Sequence, residues 1–344
     1  MHGTVHLFEQ LPLAVPPAQP VVHPAAAPVR RVPLVGVIRN QRSHRNAGPM
    51  PAIAGGATLL VEAPTKRREL ESILIRFAEQ RIDYLVVDGG DGTVRDVLTC
   101  GSGVFGEAWP DLILLPSGKT NALAADLALP ADWTLDSALA AARDPDGRRA
   151  QRRPMVVAQA DNPAARVVGF ALGAGVYTQA IALGQEAHRH GAFNSMAVVM
   201  TAFWTVGQAL LGSRRNRFRR ASPMRLRDAA GRLLPHGPRG SADERYMLFA
   251  STLDRFPGGL RPFRRLAGTL RLAIVDQARA GALLRMPLMV TGLIGPGRAT
   301  RGYHLLGGQE FAVDLGEQFI LDGEGFPPGQ YRITLGPQLR FVVP

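Results

Sequence analysis

The 344-residue chain has a single cysteine, Cys100. One thiol cannot close an internal disulfide or supply a paired-cysteine zinc site, so a reducing, cytoplasmic setting is expected. Lysine is nearly absent: Lys66 and Lys119 stand alone, and arginine carries almost all the positive charge. Aromatic residues make up 6% of the chain, and no nucleic-acid-binding module is recognisable, so nucleic acid is not an expected partner. Heptads and internal repeats are also missing. Acids are outnumbered, 28 against 40 Lys and Arg, for a net charge of +12. That imbalance calls for an anionic partner, either phosphates or an anionic lipid surface. A hydrophobic fraction of 46% and a mean hydropathy of +0.01 exclude both a mainly disordered chain and a polytopic membrane protein.

Residues 1–32 are rich in Pro, Ala and Val. Pro12, Pro16, Pro17, Pro20, Pro24 and Pro28 break any helix, and the segment lacks the basic start of a secretory signal. It reads as a flexible tail. Residues 33–147 read as an α/β domain. Apolar runs at Leu34–Ile38, Asp83–Val87 and Asp111–Leu115 are buried strands, and Leu70, Ile73, Leu74 and Phe77 give residues 66–81 an amphipathic helical spacing. A further helical pattern begins at Val94. Strands alternating with helices imply a Rossmann-like parallel sheet. Residues 148–344 read differently. Short apolar runs at 155–158, 167–172, 246–250, 270–275, 319–321, 331–335 and 339–343 are separated by Gly and Pro. That texture predicts a mainly antiparallel β-sandwich, with the last residues able to pack back on the first domain. One uncharged stretch, Gly191–Gly212, is long enough to span a membrane, but Asn194, Ser195, Thr201, Thr205 and Gln208 dilute it. It reads first as a buried or groove-lining helix, with interfacial contact and a span as alternatives. Arg214, Arg215, Arg217, Arg219 and Arg220 follow at once.

The strongest chemical signal is Gly89-Gly90-Asp91-Gly92-Thr93, set between a buried strand and a helix. Glycines there let the backbone approach an anion closely, and the helix start adds its positive dipole end. Asp91 is a carboxylate placed where a magnesium-bound nucleotide needs one, and Thr93 offers a hydroxyl. Lys119, in a loop after the third strand, is suited to act as a point charge on a phosphate.

Val87-Asp88-Gly89-Gly90-Asp91-Gly92-Thr93 resembles the nucleotide-binding signature of the diacylglycerol kinase catalytic domain, shared by diacylglycerol, sphingosine and ceramide kinases and bacterial lipid kinases. NAD kinases carry the same short motif, and phosphofructokinases a related one. Other elements extend the likeness. Asn40-Gln41-Arg42-Ser43 is similar to the family's Asn-Pro-x-Ser-Gly loop, with Gln41 and His44 departing from it. Leu115–Ala124 is similar to its Leu-Pro-x-Gly-Thr-Gly-Asn-Asp-x-Ala segment; Gly118, Asn121 and Ala124 match, while Lys119, Thr120 and Ala122 differ. Gly173-Ala174-Gly175-Val176-Tyr177 resembles a Gly-x-Gly-x-Asp element with Tyr177 in the acid's place, and Asp322-Gly323-Glu324 matches a late Asp-Gly-Glu motif. The order of these elements, from about Pro33 to Pro344, argues against an NAD kinase.

The resemblance implies an ATP-dependent lipid kinase that passes the γ-phosphoryl to a lipid hydroxyl, of diacylglycerol or a sphingoid-like acceptor, with Mg2+. It implies nucleotide contacts from Asn40, Ser43, Gly89, Gly90, Asp91, Gly92, Thr93, Gly118, Lys119 and Asn121, with the metal near Asp91. It places the nucleotide in an interdomain cleft, makes Glu324 the base and gives Asp322 an orienting or metal-holding role. Phe193, Phe203 and Trp204 are candidates for a lipid groove, and Arg214–Arg220 for contact with an anionic leaflet, which puts the protein peripherally at the inner membrane face. Whether the chain is a monomer or a homodimer is open. One departure stands out: where bacterial relatives carry an Asp-Gly-x-Leu-Asp type loop for an accessory magnesium, this chain has Arg265–Leu272, with Ala267 and Arg271 in place of the acids. No accessory magnesium is expected there. The alternatives are an NAD-kinase-like enzyme, or a nucleotide- or lipid-binding protein that has lost turnover.

Overall fold

A computed structural model describes residues 8–14, 30–43, 46, 56–178, 220–295 and 302–344. The chain divides into two compact units.

The α/β unit comprises Leu13–Pro154 and Gly336–Pro344. Its strands are β1 (Leu34–Arg39), β2 (Thr58–Glu62), β3 (Tyr84–Gly89), β4 (Asp111–Pro116), β5 (Arg149–Arg152) and the chain's last strand, β18 (Leu339–Val342). They form one sheet in the order β2-β1-β3-β4-β18-β5. The pairs from β2 to β18 are parallel, and β5 joins antiparallel to β18. The unit thus runs past residue 147 to Pro154 and recovers the last nine residues. Helix α1 (Arg67–Glu79) buries Leu70, Ile73, Leu74 and Phe77, the stripe its spacing requires. Helix α2 (Asp91–Val104) follows β3, and the short α3 (Ala122–Asp126) and α4 (Leu135–Arg143) follow β4. Because β1 sits between β2 and β3, the chain leaves β1 in one direction and returns on its other side. The loops after β1 and β3 therefore meet at a topological switch point, where open α/β sheets bind ligands.

The antiparallel unit comprises Met1–Pro12 and Met155–Leu335. One sheet contains β6 (Met155–Gln159), β7 (Arg166–Gly169), β9 (Ser222–Asp228), β10 (Glu244–Arg245), β14 (Glu310–Leu315) and β17 (Gly329–Leu335). The other contains β8 (Ala171–Gly175), β11 (Met247–Ser251), β12 (Leu270–Val275), β13 (Tyr303–Gly308), β15 (Phe319–Leu321) and β16 (Glu324–Phe326). The orders are β10-β9-β14-β17-β6-β7 and β13-β12-β11-β8-β15-β16. Val157, Leu226, Val313 and Ile333 from the first sheet share a core with Leu172, Leu248, Leu272 and Phe319 from the second, which makes the unit a sandwich. Two short helices, α5 (Ala280–Leu283) and α6 (Met286–Val290), interrupt the chain between β12 and β13.

Part of the tail belongs to this sandwich. The Phe8 N–H donates to Gly325 O on edge strand β16 at 3.0 Å, and the Arg166 N–H on edge strand β7 donates to Pro12 O at 2.9 Å. Phe8 stacks on Phe326 with centroids 5.1 Å apart, and Leu11 is buried in the core. Residues 8–12 therefore strap one edge of each sheet, pairing one backbone group on each edge strand. At the end of β12, buried Asp276 accepts from Arg245, from His304 Nε2 at 2.8 Å and from the Gly237 N–H at 2.8 Å. Burial pushes this carboxyl up. The hydrogen bonds from His304 and Gly237, with the charge of Arg245, outweigh that and hold it below the ordinary carboxylate range.

Leu11→Ala is expected to cost roughly 2 kcal/mol in denaturant unfolding, the low end for a core leucine because a terminal strap relaxes easily; no change would mean that the strap adds nothing. Asp276→Asn strands buried Arg245 and is expected to cost about 3–5 kcal/mol. Since the folded carboxyl is depressed, its contribution is present above the ordinary value of about 3.9 and is lost as pH falls below it. Unfolding measured across acid pH should show that loss in the parent and lack it in the variant.

Candidate active site

The α/β unit gathers its chemistry at the ends of β1, β3 and β4. Asp88, the last side chain of β3 before the glycines, is buried and organises all three. It pairs with Arg39 Nε at 3.3 Å, accepts from Asn46 Nδ2 at 2.9 Å and accepts from the Ser117 hydroxyl. Asn46 also donates to Asn40 O at 3.1 Å, and the Asn40 N–H donates to Asp88 O at 2.9 Å. One carboxylate thus holds the loop after β1, the start of the glycine run and the end of β4 in register. The resemblance named no role for it.

Helix α2 starts at Asp91, three residues ahead of the pattern expected from Val94, with Gly90 as its extended N-cap. Asp91, Gly92 and Thr93 are its first turn, so their N–H groups lie at the positive end of a fourteen-residue helix. Asn40 Nδ2 donates to Thr93 Oγ1 at 2.9 Å, linking the loops after β1 and β3. Behind them, a Cβ on Gly90 would sit 2.9 Å from Gly118 Cα, and one on Gly118 would sit 2.5 Å from Gly90 Cα. The loops after β3 and β4 therefore touch backbone to backbone, which only glycine permits. Asn121, in the left-handed region at φ 49°, closes that contact. Its Oδ1 accepts from the Gly118 N–H at 3.0 Å and its Nδ2 donates to Gly118 O at 2.7 Å.

Asp91 faces α3. Its oxygens accept from the Ala122 N–H at 2.9 Å and the Leu123 N–H at 3.3 Å, so it joins the starts of α2 and α3. Burial raises this carboxyl above its ordinary value, against the lowering effect of those two bonds. Of the remaining residues expected here, Ser43 closes a turn through its N–H to Asn40 O at 3.0 Å, and Lys119 is exposed.

In the antiparallel unit, Asp322 and Gly323 join β15 to β16 with φ of 45° and 88°. Two residues at positive φ, Asp then Gly, make the tight turn that suits the twist of a hairpin. The Asp322 carboxylate is anchored by backbone donors: the Phe170 N–H at 3.0 Å and the Ala171 N–H at 2.9 Å. A Cβ on Gly169 would strike the Asp322 carboxylate, which explains that glycine. Glu324, half-buried, opens β16 opposite Leu321. Gly173 and Gly175 lie in β8, and Tyr177 packs its ring over Gly173 and stacks on Phe249 at 5.4 Å. Burial pushes the Tyr177 phenol up to about 12, with the Asp322 charge adding to it. It stays neutral, where an acid would set a second negative charge beside Asp322.

Arg271, at the expected metal loop, is buried on β12. It donates to Asp254 Oδ1 at 2.7 Å and Leu253 O at 2.8 Å, and lies over the Phe263 ring. His44, Phe193, Phe203, Trp204, Arg214, Arg215, Arg217 and Arg219 lie outside the described residues. Among the described residues no group of three or more His, Cys, Asp or Glu side chains is placed to hold a metal ion, and no helix is long and apolar enough to cross a membrane.

Residues 51–152 match the model of the diacylglycerol kinase catalytic domain, which bears out the likeness carried by the motifs. No curated protein sequence matches the chain. Among solved structures, a candidate diacylglycerol kinase from Bacillus anthracis str. Sterne is similar with a TM-score of 0.61 at 13% identity, over 92% of this chain and 98% of that one. A diacylglycerol kinase from the same organism aligns with a TM-score of 0.59 at 13% identity, over 92% and 98%. At that identity the likeness establishes the fold: a parallel α/β unit followed by antiparallel sheets.

Gly118→Ala is expected to push the loops after β3 and β4 apart, costing about 1–3 kcal/mol in denaturant unfolding. Parent-like stability would show that the glycine contact does not hold the two loops together.

Proposed function

We propose that this protein is a lipid kinase, transferring the γ-phosphoryl of ATP to a lipid hydroxyl. The observation that carries the reading is the start of α2, where two loops held together by glycine set a helix N-terminus at the switch point of the sheet. The sequence likeness over residues 51–152 supports the same reaction class.

Phosphates would lie against the N–H groups of Gly90, Asp91 and Gly92, with Asn40 and Thr93 already joined at the rim and exposed Lys119 as a cation in the loop after β4. Asp91 is the carboxylate at the start of α2, so a divalent cation would arrive on the nucleotide and take most of its oxygens from phosphate and water. Such a cation, when bound, neutralises charge on the phosphates. In the transfer the lipid oxygen bonds to the γ-phosphorus as the bond to the bridging oxygen breaks, ADP leaves, and the hydroxyl proton passes to Glu324. Asp322 acts as a positioning residue: with its oxygens on the Phe170 and Ala171 N–H groups, it fixes the turn from which Glu324 projects. A second reading, nucleotide binding without transfer, draws on that same use of the Asp322 carboxylate.

Glu324→Gln is expected to lower transfer to a lipid acceptor by roughly 10²–10⁴-fold while leaving ATP affinity unchanged. Labelled ATP, offered with diacylglycerol, a sphingoid base and NAD in parallel, provides the readout. Full turnover by the variant removes Glu324 as base, and label on NAD alone overturns the lipid reading.

A further inference from the structure

From Arg255 to Ile294 the chain carries seven arginines and one acid, Asp276. That acid is buried against Arg245 and His304 and presents no charge to solvent. The same segment concentrates exposed apolar side chains. Of the eight large hydrophobic residues exposed among the described residues, four fall within ten positions: Leu284 (66%), Leu288 (44%), Val290 (41%) and Leu293 (49%). They lie on and around α5 and α6. The arginines are close by: side-chain stem carbons of Arg264 and Arg265 pack beside Gly292 and Gly295, on either side of Leu293, and Arg285 donates to Gly281 O at 2.6 Å. Beneath the helices a recess of about 330 Å³ is bordered by Arg279 and Arg285 and lined by Ala282, Met289, Ile294 and Tyr303.

We propose that this face is an interfacial surface that docks on an anionic bilayer, with Leu284, Leu288, Val290 and Leu293 entering the headgroup region and Arg264, Arg265, Arg279 and Arg285 meeting lipid phosphates. Exposed Leu and Val side chains on a segment rich in arginine are complementary to an anionic lipid interface, and Asp254, the exposed acid just before the segment, is paired with buried Arg271. Nucleic acid would satisfy the arginines and leave the leucines in water. A second copy meeting this face would set arginine against arginine. The recess extends the same chemistry inward, with Arg279 and Arg285 bordering an apolar lining. The proposal takes its purpose from the lipid-acceptor reading, but its evidence is the surface itself.

The test uses the full chain and sedimentation with vesicles of phosphatidylcholine alone or mixed with phosphatidylglycerol. The parent is expected to bind the anionic vesicles, more weakly as salt rises, and to leave neutral ones unbound. Arg279→Gln with Arg285→Gln should weaken that binding by roughly thirtyfold, at about a kilocalorie per arginine near the surface. Leu288→Asp with Leu293→Asp should abolish it, with circular dichroism and melting unchanged. Phosphorylation of a short-chain, water-dispersed diacylglycerol, which needs no bilayer, should persist in both variants. Parent-like vesicle binding by both variants, equal binding to neutral vesicles, or binding to RNA that Leu288→Asp with Leu293→Asp leaves intact while vesicles go unbound overturns the proposal. Failure of the parent to phosphorylate the dispersed lipid counts against the kinase reading and leaves the vesicle result standing.

Discussion

Gly90 and Gly118 touch backbone to backbone, and the working end of the α/β unit follows from that contact. With a side chain at either position the loops after β3 and β4 would separate. The Asp91 carboxylate would then lose the Ala122 and Leu123 N–H groups. Asp88 applies the same constraint from below by tying Arg39, Asn46 and Ser117 into one buried network. The result is a preorganised cradle of N–H donors. Preorganisation matters because phosphoryl transfer asks a protein chiefly for positioning and charge stabilisation.

The antiparallel unit solves a similar problem with a hairpin. An Asp-Gly turn at positive φ, pinned by two backbone donors from the β7–β8 corner, gives Glu324 a rigid base. The strap of residues 8–12 bonds to Gly325, the next residue along, so the strand carrying the acid is fixed on its outer edge as well. Side chains that look catalytic by type, such as Asp322 and Asp91, spend their oxygens on backbone and act through the geometry they impose.

Much of this was legible in the sequence, and the rest was hidden for identifiable reasons. β1, β3 and β4 announce themselves as apolar runs because parallel strands are buried on both faces. α1 shows through its stripe of Leu70, Ile73, Leu74 and Phe77. Helix α2 starts three residues before its apolar pattern because glycines at 89, 90 and 92 mask it as loop, whereas Gly90 is an N-cap and Asp91 suits a helix start. β9 and β14 form no apolar run, since Arg225, Arg227, Ala312 and Asp314 alternate with core residues, the pattern of strands with one wet face. The Asp88 network could not be read because Asn46 and Ser117 reach it from distant loops with no periodic signal. The expectation of a free tail failed at Phe8 and Leu11, two apolar residues in a segment whose prolines dominated the reading. Arg271 shows the opposite case: the lost acids were plain in sequence, while its burial against Asp254 and Phe263 needed the fold.

The central claim is that the glycine-held helix start serves phosphoryl transfer to a lipid hydroxyl. The most direct measurement is mass spectrometry of a mixed lipid extract incubated with the protein, Mg2+ and ATP labelled at the γ-phosphoryl oxygens. The account predicts a lipid phosphate that carries the label and forms in step with ADP. Label found only in inorganic phosphate or in a nucleotide product, with every lipid unchanged, would contradict it.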